Sequence, residues 1–171
     1  MAKKLFKNVC EEHIFSSIYN KYAKDIHDFL FYKFGESLQP EDKMQEAFVK
    51  LWQNCKKVTP DKAKSFLFTT ANNLMLNEAK HKKVVLKHHN RVGNQDNIQD
   101  PQFVLEEKEY LKKYEKAIAK LSEAQRVAFL MNKTEGKKHK EIADLLGISQ
   151  KAVEKRIYSA LEKLREHIKE I

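Results

Sequence analysis

The sequence predicts an all-α protein built as two small helical domains, and three observations predict it. Apolar residues recur every three or four positions over most of the chain, the spacing that lays them along one face of a helix. Runs that alternate with period two, the mark of half-buried strands, are few. Glycine and proline are scarce, and Gly35, Pro40, Pro60, Gly93, Pro101, Gly136 and Gly147 fall between periodic segments rather than inside them. The resulting organisation is an N-terminal helical bundle over residues 10–82, a flexible linker over 83–104 and a C-terminal four-helix domain containing a helix-turn-helix over 105–171.

The first helix is expected over about residues 12–34, where Phe15, Ile18, Tyr19, Tyr22, Ile26, Phe29, Leu30 and Phe34 form a nearly continuous stripe. The second starts at Pro40-Glu41-Asp42, a proline and two acids that suit a helix N-terminus, and it places Met44, Ala47, Phe48, Leu51, Trp52 and Cys55 on one side. A third over about residues 63–81 buries Phe66, Leu67, Thr70, Leu74 and Met75. These helices give a bundle of roughly 80 residues, near the lower size for an independent core. Residues 82–102 mix histidine, asparagine, Gly93 and Pro101 with almost no periodic apolar signal and read as a polar tether. Helices resume over about 103–119 and 122–131, the latter opened by Ser122 and Gln125 at capping-box spacing.

The clearest chemistry lies in the last third. Residues 138–165 read as a helix-turn-helix, with Gly147 at the tight turn and Ser149 at the N-cap of the second helix. Val153, Ile157, Ala160, Leu161, Leu164 and Ile168 share the buried face, while Gln150, Lys151, Glu154, Lys155, Tyr158 and Ser159 fall largely on the other. A helix held by its back and showing glutamine and lysine on its front suits a DNA major groove. An ordinary hairpin with a solvated polar face would give the same pattern. Charge favours the DNA reading. The net charge is +9, and residues 111–171 carry 15 basic against 9 acidic residues, while residues 1–80 carry 13 against 10.

No apolar run reaches membrane-span length and the N-terminus lacks a signal-peptide core, so a soluble cytoplasmic protein without membrane insertion is expected. Cys10 and Cys55, far apart and in no metal spacing, read as two reduced thiols. No catalytic constellation, cofactor motif or metal-ligand set emerges. Glu78 and His81 have the spacing of a di-iron motif, but the second copy and the further carboxylates such a site needs are missing. A non-enzymatic role is expected.

The two domains in this order resemble the extracytoplasmic-function (ECF) group of bacterial RNA polymerase sigma factors, of the sigma-70 family. The resemblance rests on Glu41-Asp42-Lys43-Met44-Gln45-Glu46-Ala47-Phe48-Val49-Lys50-Leu51-Trp52, on residues 65–73, on Leu121 to Phe129, and on Glu141-Ile142-Ala143 through Val153-Glu154-Lys155-Arg156. It implies a promoter-recognition subunit whose first domain corresponds to sigma region 2 and second to region 4. The implied partners are promoter DNA, core RNA polymerase (the clamp coiled coil of the largest subunit and the flap of the second-largest) and an anti-sigma factor.

Carried onto this sequence, the resemblance assigns polymerase docking to Asp42, Gln45, Glu46, Phe48, Val49, Lys50 and Gln53, with the Phe48 and Trp52 side expected to pack inward. Minus-10 recognition and melting fall to Asn54, Lys56, Lys57, Lys62, Lys64, Phe68, Thr69, Asn72, Asn73 and Lys80, a basic loop and an aromatic helix suited to stacking bases and neutralising phosphates. Minus-35 reading falls to Lys138, His139, Lys140, Ser149, Gln150, Lys151, Glu154, Lys155, Arg156 and Ser159, with Arg156 either on phosphate or paired with Glu141 to brace the two helices. The chain departs from the common pattern where Phe66 replaces a frequent Trp and Asn72 a frequent Arg. The rival reading is a helix-turn-helix regulator that acts without being a polymerase subunit. A response-regulator effector of that kind would need a receiver or ligand domain upstream, and residues 1–80 read as neither.

Overall fold

The structure, a computed structural model, describes residues 8–89 and 105–168. Among the described residues all regular secondary structure is helical. The chain divides into two compact units, residues 1–83 and 84–171. Most of the expected linker lies outside the described residues.

In the first unit, a turn at Asn8 to Glu11 tucks Val9 fully into the core and leads into α1 (Glu12–Phe34). The helix ends at Gly35, whose φ of 81° is left-handed territory that glycine enters without strain and whose N–H returns to the Phe31 carbonyl. A 3-10 turn at Glu36–Leu38 buries Leu38, and Gln39 takes a left-handed φ of 53° that aims Pro40 into α2 (Pro40–Gln53). Proline at the first helical position gives up an N–H that had no intrahelical partner, and Glu41 and Asp42 complement the positive end of the helix dipole. α3 (Pro60–His89) buries Ala63, Leu67, Ala71 and Met75, one residue per turn. It runs past residue 81, where the apolar periodicity fades, because no glycine or proline follows before Gly93 to stop it.

The α1, α2 and α3 stripes meet in one core around Ile26, Leu30, Phe48, Leu51 and Leu67. Polar ties fix their register: Lys33 Nζ donates to Asn72 Oδ1 at 2.7 Å, Lys43 Nζ lies 3.5 Å from a Glu78 oxygen, and Lys82 Nζ donates to the Ser37 carbonyl. One sequence expectation is corrected here. Cys10 and Cys55 are not separate reduced thiols; they are joined as a disulfide across 45 residues, with Cα atoms 4.9 Å apart. Spacing along the chain could not reveal this, because the fold brings the turn before α1 against the end of α2.

In the second unit α7 (Gln150–His167) is the central element, with α4 (Leu105–Ala119), α5 (Glu123–Lys133) and α6 (His139–Leu146) packed on it. Val153, Ile157, Ala160 and Leu164 form its buried seam, and Val127, Met131 and Ile142 of the helices packed on it are buried too. The capping box at α5 is formed in full: Gln125 N–H donates to Ser122 Oγ at 3.3 Å and Ser122 N–H to Gln125 Oε1 at 3.1 Å. Gln125 also reaches α7, where its Nε2 donates to Ser159 Oγ at 2.7 Å.

Candidate nucleic-acid interface

The exposed face of α7 is set by how its start is held. Gly147 at φ 66° and ψ 35° closes α6, and its N–H and that of Ile148 both return to the Ala143 carbonyl. Two residues on, Ser149 Oγ accepts the Ala152 N–H at 3.1 Å, so α7 begins at a fixed position and angle. With the seam buried, Gln150, Lys151, Glu154, Lys155 and Tyr158 stand in solvent along one side, and Tyr158 is 64% exposed. Lys151, Glu154, Lys155 and Tyr158 border an open groove of about 950 Å³ that Asn132 and Lys133 of α5 also line.

Within the assigned minus-35 set the residues differ in exposure and in their partners. Lys138, Lys140, Gln150, Lys151 and Lys155 are exposed. His139 and Lys140 lie in the first turn of α6, and Lys138 is its N-cap residue. The Glu141 carboxylate accepts the Lys138 N–H at 2.8 Å and so secures its own helix start instead of bracing Arg156. The brace between the two helices comes from another pair: His139 Nδ1 lies 3.6 Å from Glu154 Oε1, which also accepts from Gln150 Nε2 at 3.2 Å. Ser159 is half-buried: its hydroxyl accepts from Gln125 of α5, and it also lines the groove beside Lys155 and Tyr158. Ser149 is exposed, but its hydroxyl is engaged in the cap.

In the first unit α3 presents an exposed stripe of Lys62, Ser65, Thr69, Asn73, Leu76 and Lys80, one residue per turn, continuous with exposed Lys56 and Lys57 in the preceding loop. Four assigned minus-10 residues are held within the unit or partly buried. Asn54 Nδ2 donates to the Lys50 carbonyl at 2.8 Å and closes the end of α2. Phe68 is half-buried, its ring centroid 5.3 Å from that of Phe29. Asn72 is engaged by Lys33, and Lys64 is half-buried.

The α2 surface differs from the sequence expectation in one instructive way. Phe48 is 3% exposed and belongs to the core, so it cannot touch a partner directly. Trp52 does the reverse: it packs its edge on Phe15 at 5.1 Å between centroids and leaves 47% of its surface open. Four residues separate the two, but a helix advances 400° over four residues, enough to carry Trp52 over the rim of the stripe. Beside it Val49 is 54% exposed, and Asp42, Gln45 and Gln53 are exposed too. Glu46 and Lys50 are half-buried and 4.0 Å apart. Among the described residues no group of three or more His, Cys, Asp or Glu side chains is placed to hold a metal ion, and no helix is long and apolar enough to cross a membrane.

Comparison with known proteins agrees with these two units. Residues 18–84 match the family described as Sigma-70 region 2, and residues 111–164 match Sigma-70, region 4. The chain is 26% identical over 151 residues to the ECF RNA polymerase sigma factor SigM of Bacillus subtilis (strain 168), covering 86% of this chain and 91% of that one. In fold it is similar to the sigma factor RpoE of Bartonella quintana, solved in complex with the anti-sigma factor NepR. That match has a TM-score of 0.58 at 19% identity and covers 91% of this chain and 97% of that one.

Proposed function

We propose a division of labour that starts from the family: the chain belongs to the ECF group of sigma-70 RNA polymerase sigma factors. The first unit seats on core RNA polymerase through the exposed α2 face, with Trp52 and Val49 as apolar anchors and Asp42 and Gln45 setting orientation against the clamp coiled coil of the largest subunit. The Lys56–Lys57 loop and the Thr69–Asn73–Lys80 stripe of α3 then hold the opened minus-10 strand, cations on phosphates and amides on base edges. In the second unit Gln150 and Lys151, at the start of α7, reach base edges of the minus-35 duplex. Lys138, Lys140 and Lys155 neutralise phosphates on either side, and the unit rests on the flap of the second-largest subunit.

The observation that carries this reading is the pairing, in one chain, of two amphipathic helices whose solvent faces differ in kind: apolar with acids on α2, glutamine and lysine on α7. The test is conversion of core polymerase. Adding the chain to core enzyme should yield initiation from specific promoters, whereas a free-standing regulator would bind duplex without redirecting the enzyme. An anti-sigma partner covering these same faces is part of the proposal; the similar sigma factor RpoE was solved in complex with an anti-sigma factor, NepR. Failure of affinity capture from the native cell to recover any inhibitory protein would count against it.

A further inference from the structure

We propose that Cys10 and Cys55 are an oxidant-responsive pair, and that the bond between them restrains the loop joining α2 to α3. They are the chain's two cysteines, and the fold places them together. Each sits on a firmly held piece of backbone. Cys10 lies in the turn whose neighbour Val9 is fully buried, its N–H donating to Asn8 Oδ1 at 3.2 Å. Cys55 follows the α2 cap, its N–H donating to the Trp52 carbonyl at 3.1 Å. Both residues are partly exposed, so small oxidants and dithiol reductants can reach them, and Cys55 is followed by the cations Lys56 and Lys57. Accessible cysteines in cationic surroundings are the reactive kind, unlike thiols sealed in a core.

The inference rests on the function proposed above in one respect: a protein working on RNA polymerase meets a reducing pool, where disulfides serve sensing rather than permanent stapling. The oxidant class is a peroxide. The thiolate of one cysteine attacks a peroxide oxygen, the O–O bond breaks, and hydroxide leaves and takes a proton, giving a sulfenic acid. The second thiolate attacks that sulfur, the S–O bond breaks, and a second hydroxide leaves and is protonated. With hydrogen peroxide the balance is two thiols and one peroxide giving one disulfide and two waters. A dithiol reverses it by thiol–disulfide exchange. When closed, the bond ties the turn before α1 to the segment just after α2 and fixes Cys55, the residue next to Lys56 and Lys57 in the loop. A loop that must adapt to an unstacked strand then has less freedom to do so.

The test uses the full chain, treated with hydrogen peroxide or dithiothreitol, alkylated with N-ethylmaleimide and weighed. The oxidised sample should take up no alkylating groups and stay monomeric, and the reduced sample should take up two. Oxidation should slow amide exchange around residues 55–58 about tenfold and raise the melting temperature of the first unit by roughly 10 °C. Cys10→Ser and Cys55→Ser should remove both responses. On a promoter fragment selected by the reduced holoenzyme, oxidation should slow open-complex formation at least fivefold, reversibly. Full alkylation after peroxide, cross-linking between chains, or equal exchange and equal initiation in the two states would overturn the proposal. If the reduced protein directs no initiation at all, the proposed function fails, while mass and exchange still judge the cysteine pair.

Discussion

α2 and α7 share a plan and differ in material. Each buries one apolar residue per turn or so, Met44, Phe48 and Leu51 in the first, Val153, Ile157 and Leu164 in the second, and each therefore presents a fixed opposite face. On α2 that face carries exposed tryptophan and valine beside acids, the composition of a protein contact, where apolar anchors supply affinity and charge supplies orientation. On α7 it carries glutamine and lysines around one tyrosine, the composition of a DNA contact, where phosphate neutralisation supplies affinity and a few polar groups supply sequence. The same way of building a helix thus yields two different faces, and in our proposal the solvent side chains alone decide which partner each takes.

The largest expected effect comes from breaking one unit and watching the other. Leu51→Ala removes a fully buried side chain and should destabilise the first unit by about 2–5 kcal/mol. Leu164→Ala, 1% exposed, should do the same to the second. Denaturant melts followed by probes placed in each unit should show only the mutated unit shifting. A common shift would mean the two units fold as one.

Next come the faces themselves. Trp52→Ala should lower affinity for core polymerase by about 2 kcal/mol or more, with little salt dependence. Lys151→Ala should cost about 1–3 kcal/mol on the preferred minus-35 duplex and less on others. Lys155→Ala should weaken all duplexes alike and reduce the slope of log affinity against log salt by about one. Titrations by fluorescence anisotropy at several salt concentrations separate these outcomes. A salt slope unchanged by Lys155→Ala would remove it from the phosphate set.

How much of this was legible in the sequence depends on whether a feature is local. The capping box at Ser122 and Gln125, the glycine turn at Gly147 and the Ser149 cap are each written within one helical turn, and all three form as expected; the α1 stripe forms less completely, with Ile18, Ile26 and Leu30 buried but Tyr19 exposed. Trp52 was misplaced because a residue at the rim of an apolar stripe has the right period for either side. The Cys10–Cys55 bond, the Gln125–Ser159 hydrogen bond and the His139–Glu154 approach join residues 45, 34 and 15 positions apart, so no periodicity encodes them. Ser159 shows the consequence: its register is polar-facing, and a neighbour on α5, Gln125, engages its hydroxyl.

Smaller effects sharpen the local account. Ser122→Ala should destabilise the second unit by about 1 kcal/mol through loss of the N-cap, measured by thermal melting, with duplex selectivity unchanged. In the first unit burial pushes the Asp28 carboxyl up, but hydrogen bonds from Lys24 and His27, together with their charge, outweigh it and hold it below its ordinary value of 3.8. A depressed carboxylate stabilises the fold above its unfolded value and loses that contribution as pH falls through the folded one. The first unit should therefore lose stability below about pH 3.8, and Asp28→Asn should flatten that part of the curve. An acid limb identical in the variant would assign the loss to other carboxylates.

The central claim, two faces for two partners, is tested most directly by measuring both bindings on both face variants. Trp52→Ala should lose core polymerase while keeping minus-35 duplex affinity, and Lys151→Ala should lose duplex discrimination while keeping polymerase. Either variant losing both partners equally, or Trp52→Ala binding core enzyme at full strength, would contradict the account.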